Sequence, residues 1–600
     1  MPLSRSRSAI LSLVLTGLFL SNSLSSQSRF DLHEVMWMMT PDPAGDVVNM
    51  EMELAPLFDR ESITLRLPLW KPGAYRYANY ERSILSLTAL DQDGRERELV
   101  ELDPRTWRVE CKDASSLVVS YDLKVKDESE KSAPPAVHLH SPSAFLYTED
   151  SLLLPHLLKV NLPEDWSFSS GHRPVAGEDN LYRSPNYDVF VDCPIALGDL
   201  EFLHFESHGT PFEIVLFGKS PSEAQFGRAE WTSKVKAICE ASWDLVGDYP
   251  FERYVFLYLF SDIGGYYGLE HLNSTTIAYN HRNAKAGNVS GLESVSAHEF
   301  FHLWNVKRIR PKQLGPFDYS QDVRTKDLWW LEGVTSYYTD VILHRSGLRK
   351  DGWFLRAQER NFLAQYNSSG YGIVSPERSS WTTWDPTPGA HISYYDQGQS
   401  LGLLLDVEIR KHTQNRRSLD DVVRFFHHWV DYPSEGYQPG DLSRAIRAVT
   451  GWDCRPFFEA HVRGVLGLPW ADSMKSAGVR AIFGEPGDPY LGFSASSALL
   501  AQVKENSPAW ESGLRPGDQI LSLAGSACTD LEALRNLVFT LSPGEVMEIG
   551  VLREGTNMTI NHTVGERSQV LFKLDRNQNA SSSEAAILDG ILDGIPKGIF

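Results

Sequence analysis

Apolar residues along the first third of the chain recur at every second position. In "ESITLRLPLW" the apolar set is Ile63, Leu65, Leu67 and Leu69, and in "SLVVSYDLKV" it is Leu117, Val119, Tyr121, Leu123 and Val125. A period of two predicts strands with one buried and one wetter face. Turn residues such as "DQDG" at 91–94 separate these runs. Residues 28–205 are therefore expected to form an antiparallel, sandwich-like β-rich domain.

The pattern changes near residue 225. "GRAEWTSKVKAICEASWDLVGDY" has helical spacing, and "RYVFLYLFSD" at 253–262 is a continuous apolar strand. Helical periodicity then predicts helices at roughly 292–309, 326–345, 351–366, 397–413, 418–431 and 440–462. We take 206–475 as one mostly helical domain. From 478 the chain turns to short strands with Gly-Pro turns, and this segment is taken to run to 567. Residues 568–600 carry a Ser-rich link and the short repeat "ILDGILDG", for which the sequence suggests no role. The fold expected is multidomain α+β.

Composition narrows the class. The chain has 600 residues with a formal net charge of −21, which gives no reason to expect a nucleic-acid partner. A basic start with Arg5 and Arg7, an apolar run from Ala9 to Leu20, and small polar residues after it have the layout of a signal peptide over 1–26. The run is short for a membrane anchor, which is the alternative reading, and no later stretch reads as a membrane span. The expectation is an exported protein, periplasmic or secreted. The five cysteines, Cys111, Cys193, Cys239, Cys454 and Cys528, show no CxxC spacing and do not read as metal ligands or as a disulfide framework.

The chemistry starts at "SAHEFFHLWNVKRIRP", residues 296–311. His298 and His302 are four apart, so a helix puts both on one face. A catalytic zinc takes three protein ligands and keeps one position open. Thirty residues on, "DLWWLEGVTSYYTD" carries Glu332 among Trp329, Trp330, Leu331 and Val334. A carboxylate in such surroundings is costly to bury unless it is paired or holds a metal. Glu299 lies about 100° round the helix from His298. That turns it away from the metal's own face, toward the water that a hydrolase must activate.

"HEFFHLWNVKRIRP" together with "WWLEG" resembles the glycyl aminopeptidase family of zinc peptidases, which couples a thermolysin-like catalytic domain to a PDZ domain. The resemblance implies one zinc per chain, bound by His298, His302 and Glu332, with Glu299 as general base. "SYYDQGQSLGLLLDVEIR" at 393–410 resembles the Tyr-x-Lys-Gly segment of zinc aminopeptidases, with Gln397 in place of the lysine. By that likeness Tyr395 donates to the developing oxyanion, with Tyr394 as the alternative. "YYGLEHLNST" at 266–275 resembles their Gly-x-Met-Glu-Asn edge strand. Gly268 and Glu270 then meet the substrate, and Glu270 anchors its free ammonium.

The segment after 478 resembles a PDZ domain of bacterial peptidases, most clearly in "GLRPGDQILSLAG". "YLGF" at 490–493 looks like its carboxylate-binding loop, so Leu491, Gly492 and Phe493 would offer backbone N–H groups to a peptide C-terminus. The expected partners are peptides with a free N-terminus and a peptide ligand at the PDZ groove. The implied function is removal of N-terminal residues, small ones such as Gly or Ala by the family likeness. Two alternatives stand beside it: a zinc endopeptidase with the same metal site, and a PDZ-centred binding protein with a vestigial catalytic domain. Since every proposed catalytic residue precedes 475, a chain cut there is expected to keep the catalytic unit whole.

Overall fold

The computed structural model describes residues 33–594, apart from 58–59, 126–135, 351, 387, 431, 434–435, 485–486, 488, 497–498, 504, 528–539 and 567–570. The signal-peptide segment and Cys528 lie outside the described residues. Cys111, Cys193, Cys239 and Cys454 are buried free thiols. Among the described residues no helix is long and apolar enough to cross a membrane.

The N-terminal part is β-rich, as the period-two pattern predicts. A seven-stranded sheet runs in the order Arg173–Pro174, Leu181–Ser184, His156–Val160, Glu34–Pro41, Val47–Ala55, Leu117–Lys124 and Ile84–Asp91. It is antiparallel except where Glu34–Pro41 pairs in parallel with His156–Val160. Leu117, Val119, Tyr121 and Leu123 all point inward, opposite Met50, Met52 and Leu54 of the neighbouring strand. The alternation in "ESITLRLPLW" stops early. The strand is Ser62–Arg66, because Pro68 cannot donate to a ladder, and Leu69 is only partly buried.

The second part is a five-stranded sheet backed by helices. Strand order is Glu201–Ser207, Thr210–Gly218, Tyr254–Ser261, Ser274–Asn280 and Tyr266–Glu270. The two inner pairings are parallel and the two outer ones antiparallel: Thr210–Gly218, Tyr254–Ser261 and Ser274–Asn280 run together, while Glu201–Ser207 and Tyr266–Glu270 close the edges the other way. Tyr254–Ser261 is buried along almost its whole length, as its unbroken apolar run requires. Three helices matter for function, the first packed on this sheet, the second on the first and the third on the second. Ser290–Phe301 carries His298 and Glu299, Trp329–Arg345 carries Glu332, and Tyr394–His412 begins at the tyrosine pair. We call them the histidine, glutamate and tyrosine helices. The first is shorter than its periodicity predicts. It ends at Phe301, and residues 302–308 continue as turns.

The tail is not a link. Strand Val479–Gly484 pairs antiparallel with Leu571–Arg576, Gly484 standing opposite Leu571, so the PDZ-like strands sit between the two halves of one hairpin. Both halves belong to the peptidase-like core. Val479, Phe572 and Leu574 are buried in it, and the Phe572 ring packs on Phe362 and Trp470. "SSEAAILDGILD" forms helix Ser582–Asp593, capped by Ser581, and buries Ile587, Leu588, Ile591 and Leu592 in the same core. Arg345 donates to Ile591 O at 2.8 Å and Asn415 to Ala586 O at 2.8 Å. Each buried aliphatic side chain contributes roughly 1.5–3 kcal/mol. The expectation that a cut near 475 frees a whole catalytic unit is therefore corrected: the cut strips that core of a hairpin and a helix.

Two chain designs separate these readings. A protein ending at 475 should be insoluble or unfold at much lower temperature than the full chain. A protein whose residues between Gly484 and Leu571 are replaced by a short turn should keep the hairpin and a cooperative unfolding transition. Thermal unfolding followed by circular dichroism reads both.

Candidate metal centre and catalytic site

The histidine helix points its last turn at the glutamate helix. His298 Nε2 and His302 Nε2 are 3.0 Å apart. Glu332 Oε2 stands 3.1 Å from His302 Nε2 and 3.5 Å from His298 Nε2. Both rings are oriented from behind. His302 Nδ1 lies 2.7 Å from Asn305 O, which can only accept. His298 Nδ1 lies 3.3 Å from Thr339 Oγ1, whose own hydrogen goes to Thr335 O. These partners place the protons on Nδ1, leaving both Nε2 lone pairs aimed at one point together with a carboxylate. Three electron-rich donors in a buried space repel unless a cation lies between them.

The surrounding charges favour a cation too. Burial opposes a charge on His302, but the carboxylates of Glu332, Glu270 and Glu299 outweigh it and raise the ring to about 10. Burial also works against Glu332 as an anion, and the two histidines draw it down to about 2. The residues present fit a divalent metal of intermediate softness.

Glycines make the approach of these elements possible. A Cβ on Gly398 would stand 1.8 Å from Trp329 O, and one on Gly333 would stand 2.3 Å from the Cα of Gly398. The tyrosine and glutamate helices therefore cross backbone to backbone. The glutamate helix is widened there, over Trp329–Val334, into a π turn. Such turns inside helices often mark functional positions. Tyr395 is three residues before Gly398, and the crossing brings its ring to 6.1 Å from that of His298. Burial and the nearby Glu332 hold its phenol well above the ordinary range, so it stays a protonated donor. Tyr394 stacks on it at 4.9 Å, with its hydroxyl 3.5 Å from Thr383 Oγ1.

Gly268 and Glu270 sit on the edge strand facing the histidine helix. A Cβ on Gly268 would fall 2.3 Å from Glu299 Oε1, so only glycine lets the strand pass the carboxylate. Glu299 is buried, and its Oε2 has no hydrogen-bond partner among the described residues. Burial, reinforced by Glu270 and Glu332, holds it well above the usual carboxylate range. Glu270, Glu299 and His302 each bring one ligand atom within 4.8 Å of the others, and His298, His302 and Glu332 do the same. The sequence-predicted residues His298, Glu299, His302, Glu332, Glu270, Gly268 and Tyr395 thus converge on one buried cluster. Leu491, Gly492 and Phe493 lie apart from it. Leu491 is in the separate PDZ-like core, Gly492 has φ +85°, and Phe493 opens strand Phe493–Ser496.

Other residues that build the site had no assigned role at the sequence level. Asn305 donates to Trp330 O at 2.9 Å and contacts Thr335 Oγ1 at 3.2 Å, tying the turn after His302 to the glutamate helix. Arg308 donates to Leu303 O and to Leu272 O, joining that turn to the end of the edge strand. Lys307 Nζ pairs with Asp192 of the N-terminal part at 2.6 Å, and Asp192 also accepts from Leu272 N at 2.7 Å. The signal was there in "WNVKRIRP": Lys307 and Arg308 follow an apolar run closely and need partners once buried.

A mixed sheet with an antiparallel edge, two crossed helices and a two-histidine, one-glutamate donor set define a metallopeptidase-type domain. Family models match the chain in three places: the Peptidase M61 N-terminal domain at 38–199, M61 glycyl aminopeptidase at 292–401 and a PDZ domain at 478–564. The chain thus carries the N-terminal and catalytic domains characteristic of M61 glycyl aminopeptidases together with a PDZ domain. A solved aminopeptidase N family protein from Idiomarina loihiensis shares its fold, with TM-score 0.83 and 23% identity over 93% of this chain and 100% of that one. Shorter likenesses join it to a probable periplasmic serine endoprotease DegP-like protein of Ectopseudomonas mendocina, 43% identical over 70 residues, and to the periplasmic serine endoprotease DegP of Salmonella typhimurium, 39% identical over 72 residues. Each covers 12% of this chain, and the chain spans only 15% of the length of these curated relatives.

The helix crossing gives a direct test. Gly398→Ala forces a methyl group into backbone and should cost at least about 1–3 kcal/mol, as overpacked cores do. Chemical denaturation should show this loss, whereas Gly467→Ala, where no atom of the described residues stands within 4 Å, should leave the midpoint nearly unchanged.

Proposed function

We propose that this protein is a zinc-dependent aminopeptidase that removes the first residue of peptides, preferring small ones such as Gly and Ala. The observation that carries the reading is Glu270: a buried carboxylate on the edge strand, within 4.8 Å of the carboxylate of Glu299 and the ring of His302. An endopeptidase needs an open cleft there, and an extra buried anion would only repel the peptide backbone passing it. A free α-ammonium neutralises that anion. The family description supports the preference for glycine.

His298, His302 and Glu332 would hold one zinc ion, the donor set typical of zinc hydrolases. When bound, zinc supplies Lewis-acid polarisation of the scissile carbonyl and acidifies a water beside it. Glu270 pairs with the substrate ammonium and fixes the first peptide bond over the cluster. Glu299, with one oxygen unpartnered and its basicity raised by burial, takes a proton from the attacking water and returns it to the leaving amine. Tyr395 donates its hydroxyl hydrogen to the oxyanion as it develops. The PDZ segment offers Leu491, Gly492 and Phe493 to a peptide terminus. The leader-like N-terminus and the likeness to periplasmic proteins support an exported, periplasmic or secreted location.

Assay of free and N-acetylated peptides, with metal analysis of the same sample, tests the reading. About one zinc per chain is expected, with strong preference for free peptides. Glu270→Ala should lose roughly tenfold to a hundredfold in kcat/KM on free peptides, as befits a charge-assisted contact. Equal cleavage of blocked and free peptides by the wild type would favour the endopeptidase. Glu299→Gln should keep zinc and lose about 10²–10⁴ in turnover. Thr339→Val, which removes the hydroxyl that accepts from His298 Nδ1 and donates to Thr335 O, should weaken zinc binding about 10–100-fold by competition with a chelator.

A further inference from the structure

Between strand Ser62–Arg66 and the short helix Tyr80–Ser83, the N-terminal part sends out a loop, "WKPGAYRYANY". It leaves its own sheet and ends in the other core. Its base is pinned by Trp70, which is buried, donates to Gln321 O at 2.9 Å and packs edge-on against Phe317 and Trp384. Tyr77 packs at a tilt against the same Trp384, ring centroids 5.1 Å apart. The tip turns at Lys71–Ala74.

That tip meets the edge strand at Glu270. Gly73 has φ +86°, and a Cβ built on it would stand 2.8 and 2.9 Å from the two carboxylate oxygens of Glu270 and 2.5 Å from Leu269 Cδ1. Only a glycine backbone fits against the carboxylate. Two residues on, Tyr75 is held at φ +43°, which non-glycine residues adopt rarely. It is 6% exposed, and its ring belongs to the peptidase-like core and not to the core of its own domain. Burial pushes its phenol well above the ordinary range, and Glu332 and Glu270 push it the same way. The loop thus sets Tyr75 two residues beyond its contact with Glu270, inside the core that holds the cluster.

The first residue of a substrate must fit between those same two carboxylates. Its ammonium goes to Glu270 and its carbonyl to the ligand cluster, and its Cα is bonded to both groups. The side chain on that Cα has to project toward whatever walls this short span. We propose that Gly73 and Tyr75, contributed by the N-terminal domain, wall the subsite for the first side chain and limit it to small residues. This assignment rests on the aminopeptidase reading of Glu270 and adds to it the element that sets specificity.

The test compares kcat/KM for glycyl, alanyl, leucyl and phenylalanyl p-nitroanilides in wild type and Tyr75→Ala, with zinc content measured on the same samples. The leucyl-to-alanyl ratio should rise about tenfold or more in Tyr75→Ala, the range that hydrophobic pocket contacts command. Tyr75→Leu, which keeps more of the buried volume for folding, should give a smaller rise of the same sign. An unchanged ratio in either variant, if it is active and zinc-loaded, overturns the wall while leaving the aminopeptidase reading intact. A wild type inactive on all four substrates overturns that reading and this assignment with it. A crystal structure of the wild type with alanine hydroxamate needs no variant. Tyr75 should be in van der Waals contact with the alanine methyl, and a methyl facing only catalytic-domain residues overturns the proposal.

Discussion

Everything around the cluster answers one electrostatic difficulty. Glu270, Glu299 and Glu332 are buried carboxylates gathered about a single pair of histidines. Anions so placed repel, and each loses its hydration. The arrangement is tolerable only with positive charge at its centre, and the structure spends considerable rigidity to hold it open. Asn305 and Thr339 fix the rings from behind, Gly333 and Gly398 let two helices touch, and Gly268 lets a strand slide past Glu299. None of these residues needs to react with anything. They keep the donors from relaxing apart.

The same demand explains why the N-terminal part is not a separable appendage. Asp192 comes from it and binds Lys307 of the turn after the histidine helix, as well as Leu272 N just beyond Glu270. The lysine counters burial on Asp192 and holds its carboxylate down at about 2. One buried ion pair thus joins the turn behind His302 to the end of the edge strand, through a residue of the other domain. The cores also exchange aromatic rings: Tyr75 packs in the peptidase-like core, and Tyr319 packs in the N-terminal one. A rigid-body swing between the two would break both exchanges and strand two charges.

What the sequence disclosed, and what it hid, follows from how local each signal is. His298, Glu299 and His302 are legible because one helical turn relates them. Glu332 is legible because a carboxylate among tryptophans demands an explanation. Tyr395 and Glu270 came from family likeness, since nothing in their immediate sequence says which strand edge or helix start they occupy. The end of the histidine helix at Phe301 was hidden. Its apolar periodicity runs on through Trp304 and Ile309, but Asn305, Lys307 and Arg308 take tertiary partners that break the helical ladder. Gly73 and Gly398 look like ordinary turn and helix glycines until the opposing backbone or carboxylate is known. The tail resisted for the opposite reason. "ILDGILDG" is short and repetitive, and its apolar stripe finds its partners on helices far earlier in the chain, beside hydrogen bonds that span 171 and 246 positions.

The hairpin of Val479–Gly484 and Leu571–Arg576 has a topological consequence. The PDZ-like module enters and leaves through neighbouring strands, whose ends Gly484 and Leu571 face each other. It is a closed loop hung from a clasp rather than a bead at the end of a string. One proteolytic nick inside it, or in either connection, leaves both fragments paired through the clasp. Shedding the module takes two cuts. Because the clasp also backs onto Phe362 and Glu359 of the helix Trp353–Tyr366, any tension on the module is delivered to a helix that packs against the tyrosine helix, not dissipated in a slack linker.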